Sequence, residues 1–547
     1  MHTSKFLGLV ASSLTLGALA LPATADVQLT PVGGYLTNVF NEGAAEISAY
    51  DPVTQRLFVT NANANTIDII NIGDPTQPTL VSSISLNLFG GGVNSVAFKN
   101  GVLAAAVEAD VAQDAGQVVF FDADGVVQGA VAVGALPDML TFTPDGSKIL
   151  VANEGEPSSD YSNDPVGSVS IIDISAGIGG ATVSEAGFTQ FNGTSFTQAS
   201  GVRIFGPGAT VAQDLEPEYI AISADSTKAY VSLQENNALG ILNLTTGEFE
   251  QIVGLGFKDY SQPGNELDSS DRDDAINIVN RPVFGLYQPD AIATFEVAGQ
   301  TYIISANEGD ARDYDAFAEE ERIKDLVLDP NAFPNAAELQ ADEALGRLAV
   351  TSTLGDADGD GLYEALYAFG GRSFSIWDAA GNLVFDSGSQ FEQIVAQAFP
   401  EFFNSDNDEN TFDTRSDAKG PEPEGVTIGE IEGQIYAFIG LERIGGVMVY
   451  NITNPTAPTF VQYVNNRDFN GNPEAGTAGD LGPEGLLFIS AADSPTGIPL
   501  LAVTNEISGS TRLYSITDKP ASVPEPIATT GIALAGLVGL LGLKRRS

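Results

Sequence analysis

The chain has 547 residues, of which 43% are hydrophobic, and it contains 59 glycines and 28 prolines; this composition suits a large, loop-rich folded core and does not suit a helical bundle. Acidic residues number 72 against 23 basic ones, a formal net charge of -49, so we expect no nucleic acid or anionic lipid partner, and cations as the small partners. Cysteine is absent and the single histidine is His2, which excludes disulfides, thiol chemistry and Cys or His metal sites from the rest of the chain.

Residues 1–25 have the pattern of a secretory signal peptide. Lys5 precedes an apolar run over residues 6–21, and a small-x-small cleavage site ending at Ala25 stands before Asp26. We therefore predict that the protein is exported and that the mature chain begins near Asp26. An uncleaved membrane anchor is the alternative, which the shortness of the run disfavours.

A repeat of paired short strands follows this leader. The first strand of each of seven units begins at an acidic or amide residue: Glu46, Asn94, Asp138, Glu218, Asp290, Glu424 and Glu484. The second strand of each unit ends at a similar residue: Asn63, Glu108, Glu154, Glu235, Glu308, Glu442 and Glu506. Turns rich in Asp, Gly and Ser separate the two strands, as tight hairpins require.

A third strand follows in every unit and a fourth in most, a pattern typical of a β-propeller. The second-strand ends of the first three units are 45 and 46 residues apart, the length of a blade without insertions; the excess of the longer units falls in loops. The seventh unit has three strands, so we expect residues 27–40 to supply its outer strand and close the ring. The sequence predicts an all-β fold with one seven-bladed propeller over residues 26–517; six or eight blades are the alternatives, because the fifth unit is long.

Both sets of acidic residues should face one rim, because antiparallel strands place the start of one strand beside the end of the next. First strands line the channel of a propeller, so its mouth should be surrounded by an inner ring: Glu46, Asp138, Glu218, Asp290, Glu424 and Glu484. An outer ring should lie just outside it: Glu108, Glu154, Glu235, Glu308, Glu442 and Glu506. The long insertions leave from the same end of the blades, so one face of the propeller is both elaborated and acidic.

Converging carboxylates repel one another unless they accept hydrogen bonds or bind metal. One hypothesis is that each carboxylate caps loop amides of the neighbouring blade. The other is a divalent cation held by oxygen ligands, Ca²⁺ ahead of Mg²⁺ or Mn²⁺, because Cys and His ligands are missing. The rim residues that could bind it are Glu154, Glu218, Asp290, Glu308, Glu424 and Glu484.

The segment at 355–364, GDADGDGLYE, is a second candidate for cation binding. Asp356, Asp358 and Asp360 alternate in a glycine-punctuated loop, as the first three ligands of an EF-hand loop do. The twelfth position is Tyr367 instead of a carboxylate, and Glu364 could substitute for it with a different geometry. A plain solvated turn is the alternative.

The end of the chain resembles a PEP-CTERM sorting signal. Residues 518–526 form a linker that ends in Pro524-Glu525-Pro526, and residues 527–547 consist of an apolar span (527–543) and a basic tail. This resemblance implies an exosortase-type sorting enzyme as partner, transient anchoring in the membrane, and delivery to the cell surface or extracellular matrix. A plain C-terminal anchor is the alternative.

With the units aligned, residues 40–516 resemble the choice-of-anchor I family of secreted bacterial propellers. The motifs that carry the resemblance lie at 152–173, 267–293, 306–323, 354–378 and 420–426. The family is similar to an atypical cyanobacterial alkaline phosphatase and to mesenchyme-specific cell-surface glycoproteins. The resemblance therefore implies an extracellular propeller, and phosphatase activity only weakly.

Two functions from different classes remain open, and the sequence does not decide whether the chain is an enzyme. The first is an extracellular binding or matrix protein whose acidic, Ca²⁺-binding face meets polysaccharide. The second is a metal-dependent phosphomonoesterase acting on a phosphorylated small molecule, for which catalytic candidates are Asp271, Arg272, Asp310, Arg312, Asp313, Arg372 and Arg443. These arginines could instead neutralise carboxylates in salt bridges. Lactonase-like hydrolysis is a third option that rests on fold analogy alone.

Overall fold

The computed structural model describes residues 26–197 and 200–519. One compact unit runs from Gln28 to Thr517. The predicted signal peptide (1–25), the PEP motif and the predicted membrane span therefore lie outside the described residues. Across the described ranges, no helix has the length and apolar character needed to cross a membrane.

Seven four-stranded sheets in the described residues confirm the predicted seven-bladed propeller. Blades one to four comprise β2 (Ser48–Asp51), β3 (Arg56–Asn61), β4 (Thr66–Asn71) and β5 (Thr79–Ser85); β6 (Gly92–Lys99), β7 (Val102–Glu108), β8 (Ala115–Phe121) and β9 (Val127–Ala135); β10 (Pro137–Phe142), β11 (Lys148–Asn153), β12 (Ser168–Asp173) and β13 (Thr182–Gly187); and β14 (Ile220–Ile222), β15 (Lys228–Leu233), β16 (Ala238–Asn243) and β17 (Glu248–Gly254). Blades five to seven comprise β20 (Ile292–Val297), β21 (Gln300–Asn307), β27 (Ser373–Asp378) and β28 (Leu383–Asp386); β29 (Pro423–Ile431), β30 (Gln434–Leu441), β31 (Val447–Asn451) and β32 (Thr459–Val464); and β33 (Pro483–Ile489), β34 (Leu500–Asn505), β35 (Ser510–Asp518) and β1 (Val27–Leu36).

The hydrophobic core lies between neighbouring blades. Second strands such as β3 and β11 are buried along nearly their whole length, because the blades on either side cover both of their faces. Between blades one and two, for example, Phe58 and Ile67 pack in one cluster with Leu103 and Val119. The fourth strand β5 is mostly exposed, as expected at the outer edge of a blade.

The first described strand closes the ring. β1 lies next to β35 in the sheet of blade seven, whose other strands, β33 to β35, are the last three strands among the described residues. The prediction that the segment following the leader supplies the missing outer strand is confirmed. Blade seven is thus built from both ends of the propeller sequence.

The long insertions do not remain loops, and this part of the prediction is wrong. They build a five-stranded sheet from β18 (Phe257–Asp259), β19 (Phe284–Leu286), β24 (Glu320–Arg322), β25 (Ala349–Thr351) and β26 (Tyr367–Ala368), and a hairpin from β22 (Asp313–Tyr314) and β23 (Phe317–Ala318). The five-stranded sheet has its own core, which includes Tyr260, Phe333 and Val350. Strands of two or three residues are too short to show the alternation by which strands are recognised in a sequence.

Helices are few and short in the described residues. They are α1 (Val211–Asp214), α2 (Ala336–Leu339) and α3 (Gln390–Ala398), with 3-10 turns at Ile178–Gly180, Thr189–Phe191, Ile323–Asp325 and Pro400–Phe402. Phe391 and Val395 of α3 pack into the core between blades five and six. The helices of this part of the chain therefore form no layer of their own.

Candidate functional site

Each inner-ring residue lies at or just before the beginning of a channel-lining strand. In several blades it occupies a β-bulge. The ladder shifts register where Asp138, Glu424 and Glu484 stand, and the same bulge in blade two holds Asn94. A bulge bends its strand and changes the direction of its side chains. In blades one, four and five the ring residue instead precedes the first strand by two positions.

Glycine follows two of these glutamates because neighbouring blades meet there. A Cβ on Gly425 would lie 2.0 Å from the backbone oxygen of Glu484, and a Cβ on Gly485 would lie 2.3 Å from the backbone oxygen of Glu46. The Glu-Gly pairs therefore let successive first strands approach closely. As a result Glu424, Glu484 and Glu46 follow one another around the mouth.

The structure brings the inner ring together around a narrow neck of the channel. Asp138, Asp290 and Glu484 line this neck together with Asn94 and Tyr219. Glu484 experiences repulsion from Glu46, Asp290 and Asp138. The carboxylates that the repeat aligned in sequence thus converge in space.

No hydrogen bond or ion pair from any residue within 26–197 or 200–519 reaches the carboxylates of the inner ring. Burial and neighbouring carboxylates raise their pKa values, and Lys419 partly offsets this effect at Asp290. Glu218, Glu424 and Glu484 each carry one fully buried oxygen without a donor. Amide capping, one of the two hypotheses for these positions, is therefore wrong for the inner ring. A buried carboxylate without a partner has to be protonated or bind a cation.

The pKa values of the ring show the cost of this arrangement. Burial, followed by repulsion from Glu506 and Asp138, raises the pKa of Glu46 to about 8. Burial, followed by repulsion from Glu156 and Glu108, raises the pKa of Asp138 to about 7. Without a cation the ring therefore holds protons near neutral pH.

The outer ring is partly neutralised by cationic side chains. Glu308 and Glu442 join Glu422 in a group whose carboxylate oxygens lie within 4.8 Å of one another. Lys419 Nζ lies 2.9 Å from a Glu308 oxygen, and Arg443 Nε lies 3.0 Å from oxygens of both Glu422 and Glu442. Although burial acts to raise it, Lys419 and the neighbouring arginines hold the pKa of Glu422 at about 2.

Glu422 and Lys419 were not among the residues that the sequence pointed to. The segment KGPEPEG at 419–425 contains both, two and five positions before the inner-ring Glu424. Glu422 has a φ of 50°, so the segment is not extended there and strand alternation does not predict where its side chain lies. Nor does anything local indicate that Lys419 reaches Glu308 across more than a hundred residues.

Two members of the outer ring differ from Glu308 and Glu442. Glu235 is 7% exposed, and one of its oxygens is buried without a donor. Burial and repulsion from Asp138, Glu156 and Glu235 raise the pKa of Glu154. Both carboxylates lie on the side of blades three and four.

Arg312 and Arg372 occupy buried salt bridges. Arg312 pairs with Asp214, and its Nη2 lies 2.8 Å from an oxygen of Glu216. Arg372 Nη1 lies 2.7 Å from Glu392, and Nη2 donates to backbone oxygens at 416 and 418. Both guanidinium groups serve to hold loops on the acidic face.

The remaining catalytic candidates are spread over the insertions. Asp271 accepts Arg347 Nε at 2.5 Å and lies 3.2 Å from Arg272, which is half-exposed. Asp310 is exposed at the rim, 3.8 Å from Lys419, and Asp313 is exposed in the β22–β23 hairpin. Within the described residues, no ion pair joins Asp271 or Arg272 to Arg312 or Arg443. The candidates therefore do not form one constellation.

The loop at 355–364 gathers its four predicted ligands. Oxygens of Asp356, Asp358, Asp360 and Glu364 lie within 4.8 Å of one another. Asp356 accepts the amides of residues 359 and 361 at 2.7 and 2.9 Å, which folds the loop around that side chain. Gly361, the sixth residue from Asp356, has a φ of 86°, as the sharp turn at the sixth position of an EF-hand loop requires.

Behind the ring, the channel widens into a cavity of about 760 Å³. All seven first strands contribute to its wall, with residues that come after the inner-ring positions. The cavity therefore lies on the side of the ring away from the insertions. Many of its lining side chains are apolar, including Ile47, Met139 and Leu486.

Fold and site together define a seven-bladed β-propeller whose channel is closed at one end by a ring of unpaired carboxylates. A model of the choice-of-anchor I domain matches residues 46–455. The chain belongs to the choice-of-anchor I family, and the resemblance inferred from its motifs is confirmed.

Two animal proteins are among its relatives. Gigasin-3a of Magallana gigas is 32% identical over 200 residues, covering 34% of this chain and 70% of Gigasin-3a. The mesenchyme-specific cell surface glycoprotein of Strongylocentrotus purpuratus is 26% identical over 281 residues, covering 44% of this chain. That match spans 35% of the length of the sea urchin protein.

Solved structures also resemble the chain at low sequence identity. Hydrazine synthase of Kuenenia stuttgartiensis matches with a TM-score of 0.46 and 12% identity, over 89% of this chain and 100% of that chain. The Cps50 (Swd1) β-propeller domain of Myceliophteria thermophila matches with a TM-score of 0.39 and 10% identity, over 88% of this chain and 100% of that chain.

Proposed function

We propose that this protein is an exported β-propeller of the cell surface or extracellular matrix, whose acidic mouth binds Ca²⁺ and thereby an extracellular ligand. Membership of the choice-of-anchor I family and a relative named as a cell surface glycoprotein support the location. The predicted leader and PEP-CTERM tail, with an exosortase-type enzyme acting on that tail, agree with it. The protein is proposed to act by binding.

The observation that carries the Ca²⁺ proposal is the unpaired inner ring. Six carboxylates converge on the mouth, and no residue in the described ranges donates a hydrogen bond to them or pairs with them. A cation removes both the desolvation cost and the mutual repulsion. Carboxylate oxygens are hard donors that suit Ca²⁺, and also Mg²⁺ or Mn²⁺, better than softer metals.

The loop at 355–364 supports a second, separate Ca²⁺ site. Its four carboxylates already converge, and its glycine conformation matches that of an EF-hand loop. Tyr363 lies within the loop, directly before Glu364, and donates a hydrogen bond to the backbone oxygen of residue 352 at 3.0 Å. We propose that Ca²⁺ here stiffens the insertion that borders the mouth.

The extracellular ligand is proposed to carry anionic oxygens that complete the coordination of Ca²⁺ at the rim. An acidic polysaccharide fits, because the bare rim would repel it and the metal-loaded rim would attract it. The single tryptophan, Trp377, is buried in a blade core, so recognition by a tryptophan platform is not part of the proposal.

Phosphomonoester hydrolysis remains an alternative that no contact favours. Cationic side chains have to be free to hold the phosphate, whereas Arg312, Arg372 and Arg443 each pair with carboxylates. Arg272, the remaining candidate arginine, is half-exposed and lies 3.2 Å from Asp271, and no ion pair in the described residues joins these two to Arg312 or Arg443. Binding is therefore the better-supported function.

The test is calorimetric titration of Ca²⁺ into protein freed of metal with EDTA. We expect binding that Glu424→Gln weakens at the mouth and that Asp356→Asn removes at the loop, each variant affecting only its own site. The matched control is Glu248→Gln, an exposed carboxylate at the start of an outer strand, which should bind as the wild type does.

Absence of any Ca²⁺-dependent heat or rise in melting temperature would refute the proposal. The same preparations should be assayed with a chromogenic phosphate monoester and added Ca²⁺, Mg²⁺ or Mn²⁺. Metal-dependent turnover that Glu424→Gln abolishes would replace binding by catalysis as the function of the mouth.

A further inference from the structure

The cavity behind the inner ring is a separate feature that divalent cation binding does not explain. Its volume of about 760 Å³ falls within the range of small-molecule sites, which are mostly apolar pockets with a few converging polar groups. A metal ion at the mouth would use the carboxylates and leave this space, whose wall mixes apolar side chains such as Leu486 with polar ones such as Ser48 and Thr141, without an occupant.

The neck joins this cavity to the carboxylates. Ile47, Met139, Tyr219 and Leu486 line both the cavity and the neck, so the two spaces are continuous. The neck itself has room for about 60 Å³, which corresponds to about two water molecules. An ammonium group, which donates hydrogen bonds directly to carboxylate oxygens, fits this space.

Three carboxylates meet at the neck without a cation of their own. Asp138, Asp290 and Glu484 line it, and one oxygen of Glu484 is buried without a hydrogen-bond donor. Among the described residues, no lysine or arginine forms an ion pair with any of the three. Tyr219 adds an aromatic ring beside them, and a cation next to an aromatic face gains further stabilisation.

We propose that the channel binds an organic cation, an ammonium group on an apolar stem, with the ammonium at Asp138, Asp290 and Glu484 and the stem in the cavity behind them. A primary ammonium can donate three hydrogen bonds, one to each carboxylate. The stem replaces water along the apolar side chains of the cavity wall, such as Ile47 and Leu486. The proposal requires charge at the neck and does not require Ca²⁺ at the rim.

The experiment is calorimetric titration of the full protein, in EDTA at pH 8.5, with a series of straight-chain alkylamines. At this pH primary amines are still cationic, since their pKa is close to that of lysine, about 10.4. Each buried methylene is expected to tighten binding by up to about fourfold, so hexylamine should bind up to about fifteenfold more tightly than butylamine.

Two ligand controls separate the parts of the proposal. Hexanol has the stem without the charge, and methylamine has the charge without the stem; both should bind at least about tenfold more weakly than hexylamine. Binding of hexanol as tight as that of hexylamine would show that the carboxylates play no part and would overturn the proposal. So would binding of the amines that is independent of chain length.

Two variants locate the site. Asp290→Asn keeps the shape of the neck and removes a charge, and it should weaken the binding of hexylamine by about tenfold or more. Met139→Trp fills the cavity from its wall and should remove the dependence of amine binding on chain length. Ca²⁺ binding at the loop of residues 355–364 should persist in this variant, which would show that it is folded. Val127→Trp, on an exposed outer strand, is the matched control and should leave the series unchanged; full hexylamine binding by both neck variants would refute the assignment.

Discussion

Neutralising one inner-ring carboxylate should stabilise the metal-free protein. The pKa of Asp138 is raised from 3.8 to about 7, first by burial and then by Glu156 and Glu108. Because the folded-state pKa lies above the unfolded value, the contribution of this group to stability is complete below pH 4 and is lost as the pH rises to about 7. Asp138→Asn carries no charge at any pH and escapes this loss.

The size of the effect follows from the shift. Three pKa units correspond to about 4 kcal/mol, and this is an upper limit because the neighbouring carboxylates exchange protons with Asp138 in steps. We expect the variant to gain about 2 kcal/mol over the wild type at pH 8 in EDTA. At pH 5, about one unit above the unfolded-state pKa, only about a third of this loss has accumulated, so the difference should be below about 1 kcal/mol.

Calcium should reverse the order of stability. At a concentration one hundred times the Kd, a ligand stabilises the folded state by about 2.7 kcal/mol, and the variant, lacking one carboxylate of the ring, should gain less. The assay is urea unfolding followed by Trp377 fluorescence, at pH 5 and pH 8, with EDTA or with Ca²⁺. Glu248→Gln serves as the control. A variant that is no more stable than the wild type at pH 8 in EDTA would show that the ring does not strain the metal-free fold.

Three further predictions test other parts of the structure. Ca²⁺ binding at pH 7 should release protons from the ring, seen as a dependence of the calorimetric heat on the ionisation enthalpy of the buffer. Arg312→Ala should destabilise the protein by about 3–5 kcal/mol, measured by urea unfolding, because Asp214 and Glu216 stay buried without their partner; a loss below about 1 kcal/mol would contradict a buried ion pair. Gly425→Ala should cost more than about 1 kcal/mol, since its Cβ would meet the backbone of Glu484, and an unchanged melting temperature would show that the blades can separate there.

The propeller and the convergence of its carboxylates were predictable because both follow from a repeat. Seven recurrences of a strand pair fix the number of blades, and antiparallel pairing then places the strand starts and ends on one rim. The position of Asp138 or Glu484 in the ring needed only this alignment. Closure by β1 was predictable for the same reason, since the last unit lacked a strand.

The contacts that decide the chemistry were not predictable in this way. Arg312 pairs with Asp214, and Lys419 reaches Glu308, across about a hundred residues; the repeat says nothing about insertions that differ from blade to blade. The bulge that holds Glu424 depends on the meeting of two blades at Gly425. Sequence thus indicated where charge accumulates but did not show which charges are neutralised by arginine or lysine.

Closure by the first and last strands also shapes the folding of the molecule. β1 ends at Leu36 and its partner strand β35 begins at Ser510, so the final sheet joins segments separated by nearly the whole propeller sequence. Bringing such distant segments together costs about 5 kcal/mol in chain entropy, and contacts of this kind form slowly. Until β35 has been synthesised, the ring cannot close and the edge of β1 that pairs with β35 stays unpaired. Once the ring has closed, no blade can separate without breaking its contacts with two neighbours.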